Sequence, residues 1–245
     1  MLGLLVFHKV LPEMDGDRFT VNREEFNRII ETVRSHADSL DPLEISRIPA
    51  GKPNPFFIPT FDDGTADHFH LMEMQDDIKG VFFINTDTIG QKDYLDKEQI
   101  KALHKAGHRI GSHSHDHSLL TGLPREKMRQ DIERSVKILE DLTGEKVEWF
   151  APPEGDYDDH VVDAAHEIGI KHFRTTDFGW NPRMSDDPIR VLNTFNIGKH
   201  FQSAQIKESL SQKSKYLQYY SAYRAKNAIK KIMPVTYRKI RRFTG

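Results

Sequence analysis

Seven short runs of apolar, β-branched or aromatic residues recur through the first two hundred positions: 2–7, 56–61, 81–84, 108–112, 147–150, 172–175 and 189–192. Each has the length and composition of a buried strand rather than of a helix. Helical patterns lie between them. Asn22 with Glu25 forms a capping box ahead of an apolar stripe of Phe26, Ile29, Ile30 and Val33. Asp96 with Gln99 repeats the device, and Gly107 ends that helix. Met128, Ile132, Val136 and Leu139 mark a helix over 124–142 that Gly144 stops, and 161–168 is a helix ended by Gly169. Such alternation predicts an α/β fold built on a parallel sheet with right-handed crossovers. Pro59 lies inside the second run, which predicts a bulge or an edge there.

The polar residues of interest fall at the C-terminal ends of these runs. They are His8, Asp62-Asp63, His113, Pro152-Pro153 and Thr175-Thr176. In a β/α barrel those ends converge on one face, so residues distant in sequence can meet there. Asp62-Asp63-Gly64 is a turn signal on its own. Two adjacent carboxylates, however, call for a cation or hydrogen-bond donors. His113 and His117 follow fifty residues on, with His115 alternating away between them. One carboxylate and two imidazoles suit zinc and other divalent first-row ions, and three protein ligands leave positions open for water and substrate.

Thr60-Phe61-Asp62-Asp63-Gly64 and His113-Ser114-His115-Asp116-His117, in this order and spacing, resemble the first two motifs of the polysaccharide deacetylases, the NodB-homology domain of carbohydrate esterase family four. The resemblance covers roughly residues 1–200. It implies a distorted (β/α) barrel and metal-dependent removal of an acetyl group, N-acetyl before O-acetyl, from a sugar of a polysaccharide or glycan precursor. It makes Asp62 the catalytic base, and Asp63, His113 and His117 the ligands of a divalent ion, zinc first. Phe150 to Gly155 matches the third motif, with Pro153 and Glu154 on the substrate side and a backbone N–H for the oxyanion. The arginine usual there is replaced by Ala151, so Asp62 needs another partner, with Arg174 and Lys199 as candidates. Trp180 matches a tryptophan that lines the substrate groove. Leu5-Val6-Phe7-His8 resembles the opening strand of a permuted branch, which makes His8 the acid that protonates the leaving group. Related readings are removal of formyl or another acyl group from a lipid-linked amino sugar, and a catalytically weak, metal-containing glycan-binding protein.

The chain has 245 residues and no cysteine, which excludes disulfides and thiolate metal sites. No run reaches the ~20 apolar residues of a membrane span, and residues 1–8 make a poor signal peptide. The expected location is cytoplasmic, at or near the inner face of the membrane. Net charge is −2, but residues 209–245 carry ten Lys or Arg and no acid. The expected organisation is a barrel over 1–202 and a basic helical extension over 203–245, reading as one long helix to Met233. That extension is a candidate contact for an anionic membrane surface. No nucleic-acid module is present.

Overall fold

In the computed structural model, residues 1–47, 55–73, 78–181 and 187–232 are described, and each of the seven runs contributes a strand. The order is β1 (Leu2–Phe7), β2 (Lys9–Leu11), β3 (Thr20–Asn22), α1 (Arg23–Arg34), β4 (Asp38–Ser39), β5 (Phe56–Phe61), α2 (Asp67–Glu73), β6 (Val81–Ile84), α3 (Lys97–Lys105), β7 (Arg109–Ser112), α4 (Arg125–Thr143), β8 (Trp149–Phe150), α5 (Asp159–Ile168), β9 (His172–Phe178), β10 (Arg190–Asn196), α6 (Ser203–Ser211) and α7 (Lys213–Ile232). Strands β1, β10, β9, β8, β7, β6 and β5 pair in parallel, and β1 also bonds to β5, so the sheet closes as a (β/α) barrel. The short β4 lies beside the start of β5, and β2 and β3 form a separate ribbon.

The two-residue period of a strand sorts the apolar side chains into two layers. Leu2, Leu4, Phe56, Ile58, Val81, Phe83, Trp149, Ala151 and Leu192 form one buried cluster, which fills the barrel. Their neighbours Leu5, Phe57, Phe61, Phe82, Phe150 and Phe173 face outward and join the stripes of α1, α3, α4 and α5 in a second cluster. Each such side chain, fully buried, contributes about 1.5–3 kcal/mol. The expected stops hold: Gly144 and Gly169 take the left-handed conformation at the ends of α4 and α5, and Asp96 with Gln99 makes its capping box.

Three local expectations need correction. Pro59 sits neither at an edge nor in a bulge, since β5 has partners on both sides. Phe56 N–H and Asp62 N–H both donate to carbonyls on the β1 side, so Pro59 turns its nitrogen the other way. There it falls between the last residue paired with β4 and the first paired with β6, where no ladder bond is lost. At α1, Asn22 accepts the Glu25 N–H at 2.8 Å, but the Glu25 carboxylate does not complete the box. It accepts Ser203 N–H at 2.7 Å and Arg28 Nε–H at 2.8 Å, tying the start of α6 to α1. The long C-terminal helix is in fact two, because Gln212 is extended and breaks it. Ile206 of α6 is buried. Tyr216, Tyr219, Tyr220 and Tyr223 of α7 pack on the barrel around Phe178 and Phe201. The basic residues after Ile232, and the membrane contact expected of them, lie outside the described residues. Among the described residues no helix is long and apolar enough to cross a membrane.

Candidate active site

Continuing the inward alternation past the strand ends carries the barrel interior into a polar rim. From Leu4 the count reaches His8; from Ile58, Asp62; from Gly111, His113. On β9 the inward position after His172 is Arg174. Asp62 is buried and Arg174 is wholly so. Arg174 Nη2 donates to Asp62 Oδ1, and the guanidinium lies over the Phe83 ring, its Cζ 4.9 Å from the centroid. Asp62 thus has an arginine partner, supplied by β9 from within the barrel rather than by the loop after β8, where the small Ala151 stands. Lys199 is exposed, its N–H bonded to the Arg18 carbonyl. The other Asp62 oxygen, Oδ2, is 3.8 Å from His8 Nε2. His8 stacks on Phe19 with centroids 4.6 Å apart, and burial pushes its pKa below the usual histidine value.

Asp63 turns away from its neighbour because its φ is +69°. Its Oδ1 lies 3.4 Å from both His113 Nε2 and His117 Nε2, and the three ligand atoms all fall within 4.8 Å of one another. His113 Nδ1 is 2.7 Å from the Ala151 carbonyl. A carbonyl only accepts, so Nδ1 donates to it, and this bond fixes the ring with Nε2 turned toward Asp63. Burial works to raise the Asp63 carboxyl, but hydrogen bonds from both histidines outweigh it and hold it well below the usual carboxylate range. His117 is raised, chiefly by Asp63 and against its own burial, with a smaller contribution from Glu154. An anionic oxygen and two imidazoles whose Nε2 atoms converge on it form a donor set that fits a divalent ion such as zinc.

The loop that carries these histidines is strained and heavily tied. Ser114 and His117 both have positive φ, which costs energy unless neighbours hold the conformation. Ser114 N–H donates to Ser112 Oγ, and His117 N–H to Ser114 Oγ at 3.1 Å. Two residues of α4 supply the rest. Asp131 Oδ1 accepts His115 N–H at 3.1 Å, and Ser135 Oγ bonds Ser112 Oγ at 2.8 Å. In the sequence α4 announces itself by its apolar stripe. The signal for this contact is Asp131 and Ser135, a polar pair four residues apart on the flank of that stripe.

Pro153 and Glu154 lie on the same rim. Pro153 is buried and Glu154 exposed, with a φ of +54° that turns the chain. Trp180 is not brought to the site. Its ring packs against Phe195 at 5.0 Å and over Gly3, where a Cβ would meet Trp180 Cζ3 at 2.8 Å. Gly3 is at the start of β1 and His8 follows its end, so Trp180 covers the opposite half of the barrel wall. The bridge between Leu2 and Asn181 pins it there.

The closed parallel barrel and the polar rim at its C-terminal ends define a (β/α) barrel of the NodB-homology type. Residues 50–173 match the family model described as polysaccharide deacetylase, and the chain belongs to that family. It is 25% identical over 185 residues to YxkH of Bacillus subtilis, which carries a polysaccharide-deacetylase name. That match covers 73% of this chain and 65% of YxkH. It is 28% identical over 132 residues to the peptidoglycan-N-acetylglucosamine deacetylase PgdA of Listeria monocytogenes, covering 52% of this chain and 27% of PgdA. The chain thus spans less than two thirds of these relatives. The fold is similar to IcaB from Ammonifex degensii, with a TM-score of 0.73 at 23% identity over 84% of this chain and 95% of that one. It is equally similar to the Streptococcus pyogenes deacetylase PplD, solved with acetate, with a TM-score of 0.73 at 19% identity over 86% and 98%.

Proposed function

We propose that this chain is a metal-dependent hydrolase that removes an acetyl group, N-acetyl before O-acetyl, from a sugar of a polysaccharide or glycan precursor. The observation that carries the reading is the division of labour between adjacent carboxylates, with Asp63 on His113 and His117 and Asp62 on Arg174. A divalent ion held by Asp63, His113 and His117 supplies a Lewis acid for the acetyl carbonyl and the attacking water. Asp62 removes the proton from that water as it adds to the acetyl carbon. Its Oδ1 is committed to Arg174, so Oδ2 is the oxygen that acts, and it is the one that faces His8. Arg174 pairs with the buried carboxylate and fixes its orientation. A backbone N–H of the Pro153–Glu154 loop is the donor that meets the oxyanion in this reading. His8 then delivers a proton to the departing nitrogen as the C–N bond breaks, and acetate and a free amine leave.

The reading as a catalytically weak glycan binder drew its support from the arginine missing at Ala151, and Arg174 removes that support. Release of acetate from an N-acetylated hexosamine oligomer tests the proposal. Asp62→Asn is expected to retain metal and lose roughly 10²–10⁴ in rate. A fully active variant rules out Asp62 as the base. Release of formate from a formylated substrate in place of acetate moves the proposal to the related acyl group.

A further inference from the structure

β9 and β10 stay in register from His172 opposite Arg190 to Arg174 opposite Leu192, and the next pair is Phe178 with Thr194. Thr175, Thr176 and Asp177 therefore oppose Asn193 alone, in a bulge that starts immediately after Arg174. Bulges of this kind re-aim side chains next to active sites. Thr175 is locked to β10, its Oγ1 donating to the Leu192 carbonyl and its carbonyl accepting from Thr194 Oγ1, both at 3.0 Å. Thr176 is the seat of the turn Pro153–Gly155, for a Cβ on Gly155 would lie 2.0 Å from Thr176 Oγ1. Asp177 grips in two directions. Its Oδ2 accepts from the phenol of Tyr157, two residues past that turn, at 2.5 Å. Its Oδ1 accepts from the phenol of Tyr223, on α7.

We infer that α7 is a working part of the active site: Tyr223, through Asp177 and Tyr157, positions the Pro153–Gly155 turn and the end of β9 that bears Arg174. The bonds are charge-assisted and directional, which makes them stiffer than apolar packing of the same helix would be. Burial and Asp177 both push the Tyr157 phenol up, so it stays a donor throughout the working range. The matched family region ends at residue 173, so Asp177 and Tyr223 lie beyond it, whereas Tyr157 and the turn lie within it. These three are positioning residues, and their effect on turnover rests on the hydrolase reading above.

The test uses the metal-loaded 245-residue chain and Tyr223→Phe, which keeps the ring beside Phe178 (centroids 6.1 Å apart) and deletes one donor. Turnover of an N-acetylated hexosamine oligomer, metal affinity, thermal midpoint and hydrogen exchange over residues 153–158 are measured together. The expected result is a fall of roughly tenfold in kcat/KM, mostly in kcat, with faster exchange over 153–158. Metal affinity should stay unchanged, because Ala151 and α4 hold the ligand loop independently. Tyr157→Phe should reproduce the same fall in kcat, and serves if Tyr223→Phe does not fold. Unchanged kinetics and exchange, with only a lower midpoint, would overturn the inference and leave α7 as packing. If the wild-type protein releases no acetate, the hydrolase reading fails instead, while the exchange measurement still decides whether the clamp holds the turn.

Discussion

Asp62 and Asp63 are neighbours in the chain and strangers in space. Asp62 continues the extended parity of β5 into the barrel, where Arg174 meets it. Asp63 takes a positive φ and swings to the histidines. One backbone dihedral thus sends two adjacent carboxylates to different partners. The buried Arg174–Asp62 pair predicts an asymmetric cost. Arg174→Met leaves an unpaired buried carboxylate and is expected to lose about 3–5 kcal/mol in urea unfolding. A loss under 1 kcal/mol would mean that Asp62 does not depend on this partner. His8 predicts a difference between substrates. His8→Ala should slow amide hydrolysis far more than hydrolysis of an activated ester, whose leaving group needs no proton. Equal losses on both would remove His8 from the acid role.

At the scale of elements, the loop that carries His113 and His117 forms one unit with α4. The histidines were legible because their spacing is local, and so was the apolar stripe of α4. The link between them was not, since nothing in a single sequence says which helix flank a loop will meet. Asp131 holds the loop through His115 N–H, beside the strained Ser114. Asp131→Ala is expected to weaken metal binding ~10–100-fold, measured by chelator competition, with the fold retained. Unchanged affinity would show that the loop keeps its shape unaided. Trp180 illustrates the opposite error: a residue of the right type at the right distance along the chain, carried to the far half of the wall by the bridge at Leu2.

Across the whole molecule, two buried histidines set a pH dependence remote from the site. Burial lowers both His108 and His172 to about 4, from an ordinary 6.5. Neighbouring cations, Lys79 and Arg109 for one and Arg190 and Lys171 for the other, add to the shift. Their folded values lie below their unfolded ones, so between pH 6.5 and 4 the unfolded chain binds more protons. Stability is complete above about pH 6.5 and falls as pH drops toward 4, by a few kcal/mol on the order expected for two such shifts. Chemical unfolding from pH 7 to 4.5 measures it. If His172→Asn flattens none of the slope, His172 is not a source.

The seven runs, their caps and stops, and the carboxylate and histidine pairs at their ends were determined by the sequence alone. Each rests on a period, a cap or a spacing that operates within a few residues. The placement of β1 between β10 and β5 was decided only in three dimensions, and it is this that sets His8 beside Asp62. So were the choice of Arg174 over Lys199, the use of Pro59 in a gap between two strands, and the clamp from α7 to Asp177. All of these depend on the register between segments far apart in the chain. Register follows from closing the barrel as a whole, and no local pattern encodes it.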